Sequence, residues 1–137
     1  GIHMRNAKVE LMNVALKGCR GNALDMSLST SATTTLVATR CEFANSQNGA
    51  RVFGRISSAT FKNCVINDNS GYGILVGGAT VHLHGEETAI HSNRVGIYAH
   101  NSSKVVIHLP SHHNTSYNNK GEDRKTRSGG TITNVED

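Results

Sequence analysis

The chain has 137 residues, 14 Lys+Arg against 10 Asp+Glu, a formal net charge of +4 and 36% hydrophobic residues. That length supports one domain with its own core. No apolar run approaches the ~20 residues of a membrane-crossing helix, and the basic residues are too scattered to expect a nucleic-acid partner.

Gly1-Ile2-His3-Met4 reads as a cloning scar to be set aside, leaving 5–137 as the domain. A first unit follows: Val9-Glu10-Leu11, Asn13-Val14-Ala15-Leu16, a turn over Lys17–Asn22, then Leu24-Asp25-Met26-Ser27-Leu28. Ser29-Thr30-Ser31-Ala32-Thr33-Thr34-Thr35 then reads as a solvated loop that lengthens the link to the second unit. That unit carries Cys41-Glu42-Phe43, the turn Ala44–Asn48 and Gly49-Ala50-Arg51-Val52. The third has Phe61-Lys62-Asn63-Cys64-Val65-Ile66, the turn Asn67–Ser70 and Gly73-Ile74-Leu75-Val76. In the fourth, Val81-His82-Leu83 and Thr88-Ala89-Ile90 precede His91-Ser92-Asn93 and Gly96-Ile97-Tyr98-Ala99. A fifth opens with Val105-Val106-Ile107 and loses regularity after Leu109. Lys120–Gly130 is charged and lacks apolar residues, so an irregular loop is expected there, ahead of a final strand over 131–135.

Alternation over three to five residues is the strand signal, because successive side chains point to opposite faces. Gly, Asn, Ser and Asp between the runs mark turns. Asn45, Asn69 and Asn93 recur every 24 residues, the mark of a stacked repeat whose units cannot bury their apolar faces alone. Stacked coils place like on like, so Asn45, Asn69 and Asn93 are expected to form a hydrogen-bonded ladder. Cys41 and Cys64 fall at matching inward positions, where Cys acts as a small buried hydrophobe rather than half of a disulfide. Cys19 lies in a turn as a free thiol; unpaired cysteines lean towards a reducing, cytoplasmic setting.

The phrase Asn63-Cys64-Val65-Ile66-Asn67-Asp68-Asn69-Ser70-Gly71-Tyr72-Gly73-Ile74-Leu75-Val76 resembles the repeat of right-handed parallel β-helix proteins with the pectin-lyase-like fold. The resemblance covers roughly Val9 to Ile107. It implies an all-β, single-stranded right-handed β-helix of about five coils. Because the fold hosts polysaccharide lyases, galacturonases, alginate epimerases, tailspikes and interaction domains, it does not choose a function.

Polysaccharide cleavage needs carboxylates gathered on one outer sheet, as a flanking pair or as a base beside a metal or cation. The acids are dispersed: Asp25 and Glu42 belong to different strands of a coil, Asp68 to an Asn-rich turn, Glu86-Glu87 to another turn. Neither the Asp pair of galacturonases nor the Asp-Pro-His motif of alginate epimerases occurs. The expectation is therefore a non-catalytic binding or structural module, a fragment of a longer chain, taking glycan or protein on an outer face that includes Arg51, Lys62, His82, His84, Tyr98 and His108. The alternatives are a lyase- or epimerase-type enzyme, and a module stacking end to end through exposed coil edges. His84 and His108 should stack on neighbouring coils, within reach of His82 or His112; no Cys-x-x-Cys or His-Glu-x-x-His spacing is present, so no metal or cofactor is expected.

Overall fold

A computed structural model describes residues 1–27, 32–108 and 115–136. The chain opens with β1 (Ile2–Met4) and then repeats a three-strand coil. The coils are β2 (Lys8–Met12), β3 (Ala15–Lys17), β4 (Asn22–Met26); β5 (Thr34–Thr39), β6 (Glu42–Ala44), β7 (Asn48–Phe53); β8 (Ser57–Lys62), β9 (Val65–Asn67), β10 (Tyr72–Gly77); β11 (Thr80–His84), β12 (Ala89–His91), β13 (Val95–His100); and β14 (Lys104–His108), β15 (Ser116–Tyr117), β16 (Glu122–Arg127). A last strand, β17 (Thr131–Val135), begins another turn.

Each strand pairs with its counterpart one coil away, so three sheets run along the axis. Sheet A is β1-β4-β7-β10-β13-β16, sheet B is β2-β5-β8-β11-β14-β17, and sheet C is β3-β6-β9-β12-β15. Among the described residues every ladder between strands is parallel. The result is a parallel β-helix.

Registration makes the core a set of columns. Leu24, Ala50, Ile74 and Ile97 form one inside sheet A, with Met26, Val52, Val76 and Ala99 beside it. Leu36, Ala59, Val81 and Val105 line sheet B, next to Ala38, Phe61, Leu83 and Ile107. Phe43, Ile66 and Ile90 line sheet C, and Phe43 meets Phe61 edge-on at 5.9 Å. Each large buried side chain contributes roughly 1.5–3 kcal/mol of hydrophobic stabilisation. Cys41 and Cys64 stack where sheet B turns into sheet C; both are buried and neither is in a disulfide.

The turn between sheets C and A is held by a continuous hydrogen-bond ladder. Asn69 is 3% exposed and Asn93 0%. Asn69 donates from its backbone N (3.1 Å) and from Nδ2 (2.8 Å) to Oδ1 of Asn93, and from Nδ2 also to the carbonyl of Phe43 (3.2 Å). Asn93 repeats the pattern towards Asn119 Oδ1 (3.0 Å for each nitrogen) and the carbonyl of Ile66 (3.1 Å). Asn119 ends the row on Asp123 Oδ1, at 3.0 Å from its backbone N and 2.9 Å from Nδ2.

Three expectations from sequence need correction. Asn45 is exposed with φ at 53°, and the buried ladder position in its coil belongs to Ser46, whose backbone N donates to Asn69 Oδ1 at 3.1 Å. Asn45 instead joins Asp68, Ser92 and Asn118 in a corner row of left-handed residues. Both rows suit Asn, the corner because Asn tolerates αL and the ladder because its amide bonds both ways. A 24-residue spacing cannot tell two adjacent rows apart. Ile2–Met4, the segment set aside as a scar, forms the edge of sheet A beside β4, and Met4 is 4% exposed. Within Ser29–Thr35, residues 29–31 lie outside the described set, but Thr34 and Thr35 open β5 and Thr34 is 0% exposed. Its hydroxyl accepts from the backbone N of Asn6 at 2.9 Å, which is why a polar residue can face inward there. Finally, much of the expected loop over 120–130 is β16, paired with β13. A terminal coil gains its backbone hydrogen bonds from one neighbour and needs no apolar alternation on its open side.

Two outcomes follow for stability. Asn93→Ala strips partners from buried donors and acceptors on both neighbouring coils, so urea denaturation should show a loss of about 3 kcal/mol or more. Asn45→Gly keeps the αL corner and should change stability by less than about 0.5 kcal/mol. Burial, partly offset by a hydrogen bond with the Cys41 backbone, pushes the Cys64 thiol up from 9.0 to about 11. The folded state therefore holds this proton more tightly, and the associated stability is present below pH 9 and lost as pH rises through 11. A decline of up to about 3 kcal/mol is expected across that window, and the Cys64→Ala variant should show a correspondingly shallower decline.

Candidate functional site

With the inward positions filled by packing, the chemistry of a β-helix lies on its outer faces, where side chains repeat along columns about 4.8 Å apart. Two such faces concentrate functional groups.

On sheet A, the outward column Asp25, Arg51, Leu75, Tyr98, Lys125 runs through five coils. Beside it runs Phe53, Gly77, His100, Arg127. Arg51 pairs with Asp25 at 3.0 Å and lays its guanidinium 4.2 Å above the Phe53 ring. Phe53 meets His100 edge-on at 5.5 Å across the coil that carries Gly77. Gly77 makes that approach possible, because a Cβ there would lie 3.2 Å from ring atoms of both neighbours. His100 continues to Tyr98 (5.2 Å), and Tyr98 to Tyr72 (5.1 Å). Lys125 and Arg94 sit over Tyr98 and Tyr72 at 5.2 and 5.5 Å. The face is thus an aromatic strip, half-exposed along its length and flanked by cations. At its edge Phe53, Gly54, Arg55, Gly77, Gly78 and Asn101 line a shallow depression of about 340 Å³.

On sheet B, His82 and His84 project two residues apart from β11, and His108 projects from the next strand. His84 and His108 stack in parallel, centroids 3.8 Å apart and planes at 11°. His82 Nδ1 and His108 Nε2 share a hydrogen bond of 2.9 Å. Lys62 is the register partner of His84. His112 lies outside the described residues.

The six residues read from sequence as one face therefore divide between two. Arg51 and Tyr98 share a column on sheet A, while Lys62, His82, His84 and His108 gather on sheet B. Alternation identifies an outward residue but not which of three sheets it leaves. Phe53, Tyr72, Arg94, His100 and Lys125 were not singled out. Aligning residues by coil register, rather than by Asn spacing, brings Phe53 and His100 into one column.

Several carboxylates have structural partners. Asp25 binds Arg51, Glu42 binds Lys17 at 2.6 Å, Asp68 accepts from Asn67 Nδ2 at 2.7 Å, and Asp123 closes the ladder. Arg124 takes the inward place of the last coil, in register with Ile97, where burial lowers its pKa; it donates to Asn134 Oδ1 at 3.2 Å.

No curated protein and no solved structure matches the chain significantly. A family model described as "right handed beta helix region" matches residues 1–135. Three parallel sheets in coil-by-coil register agree with it, and the chain belongs to the right-handed β-helix family.

Proposed function

We propose that this β-helix is a non-catalytic binding module that takes an acidic polysaccharide along the outer face of sheet A. The observation that carries this reading is the unbroken run of ring and cation contacts from Arg51 through Phe53, His100 and Tyr98 to Tyr72, with Lys125 and Arg94 over the tyrosines. Aromatic faces offer flat apolar surface to the C–H side of a pyranose ring, and their partial exposure leaves that surface available. Arginine and lysine beside them supply donors for uronate carboxylates or sulfates. Columns that repeat at the coil spacing suit a polymer, because several weak contacts add along one chain. The engagement of Asp25 with Arg51, and of Asp123 in the ladder, favours binding over cleavage.

Affinity electrophoresis or calorimetry against alginate, pectate and a sulfated glycan, with a neutral glucan for comparison, tests the proposal. Acidic polymers should bind and weaken as salt rises. Tyr98→Ala and the double variant Arg94→Glu/Lys125→Glu should each reduce binding at least tenfold with little change in melting temperature. No binding to any acidic polymer, or unaltered binding by these variants, would overturn it; release of unsaturated uronate would replace it with a lyase.

A second reading is favoured by the first coil, where Ile2, Val9, Leu11, Val14 and Leu16 pack on the core yet stay only partly buried. Such an edge suits association between copies through their N-terminal ends. Light scattering should then show mass rising towards a dimer with concentration, and Val9→Lys should hold the chain monomeric.

A further inference from the structure

We propose that His82, His84 and His108 form a transition-metal site on the outer face of sheet B, selective for an ion such as zinc that accepts three imidazoles and one open position. The three residues present ligand nitrogens all within 4.8 Å of one another, and all three side chains are partly exposed, so an ion can reach them. In a tetrahedral zinc site, Zn–N distances of ≈ 2.0–2.1 Å place ligand nitrogens about 3.3 Å apart. His82 Nδ1 and His108 Nε2 already stand at 2.9 Å. The remaining adjustment is rotation of His84, whose ring lies flat against His108 and must splay to aim its lone pair at the same point.

Fold geometry makes this cheap. His82 and His84 leave one face of β11 because they are two residues apart, and parallel registration of β11 with β14 sets His108 opposite. The backbone positions are fixed by packing beneath, where Val81, Leu83, Val105 and Ile107 are all buried. Only side-chain torsions need to change, which limits the entropic cost of assembling the ligands. The hydrogen shared between His82 and His108 must leave the line between them. One imidazole shifts tautomer, carrying its hydrogen on the other ring nitrogen and freeing a lone pair, so no net proton is released from a neutral pair. Three neutral nitrogen donors match zinc, copper or nickel better than magnesium or calcium, which prefer oxygen. The fourth position remains for water or an incoming donor. Lys62, in register with His84, opposes the ion's charge and weakens the site without occupying it.

Calorimetric titration of the intact chain with zinc chloride alone tests the site, with cobalt(II) absorption as a second readout. The expected result is one ion per chain, a rise in melting temperature, and a visible cobalt spectrum of tetrahedral intensity. His108→Ala should weaken zinc at least tenfold and abolish that spectrum, with His82→Ala and His84→Gln each weakening it too. His91→Ala, on sheet C, should bind as the parent does. All four side chains lie on outer faces, and circular dichroism of each variant verifies the fold. Absence of a saturable one-to-one site, or binding by His108→Ala equal to the parent, would overturn the assignment.

Discussion

A parallel β-helix hydrogen-bonds along its axis, so each coil supplies the template on which the next is laid. Spacing between coils is fixed by the backbone at about 4.8 Å, and a side chain must fit directly over its counterpart. Apolar columns satisfy this by interlocking similar volumes, as Leu24, Ala50, Ile74 and Ile97 do. Polar columns satisfy it only where donors and acceptors alternate along the stack. Asparagine can do this because its amide carries both, so Asn69 and Asn93 are buried without leaving turn amides unpaired.

That same constraint explains what was legible in the sequence. Repetition at 23 or 24 residues, with apolar alternation returning in phase, is a direct imprint of stacking, and it revealed both the architecture and the pairing of Val81 with Val105 and Leu83 with Ile107. Errors arose where a residue met the constraint by unusual means. Thr34 is buried because its hydroxyl has a backbone partner, so β5 hides inside a Ser/Thr run. Glu122–Arg127 pairs through its backbone at the end of the stack, where charge is tolerated. Ser46 replaces asparagine in the ladder while Asn45 beside it mimics the period.

The two outer faces illustrate how one scaffold separates chemistries. Sheet A presents π surfaces bridged by cations, and the missing side chain at Gly77 brings Phe53 and His100 together over an intervening coil. Sheet B presents clustered imidazoles, with nothing aromatic but histidine among the three. Each cluster depends on residues two dozen positions apart, so neither exists as a local motif. Short motifs such as Cys-x-x-Cys are silent in a fold of this kind, and the informative unit is the column.

The row of asparagines also has a direction. Within the row, each asparagine donates to the Oδ1 of the next and accepts from the coil before it, until Asp123 receives the last two donations. A carboxylate accepts without needing to pass a hydrogen onward, so the relay stops there. Another chain arriving at that rim would find no amide waiting for its carbonyls in this row. Asp123 thus closes the side-chain row on a pure acceptor, within the same coil as its last asparagine.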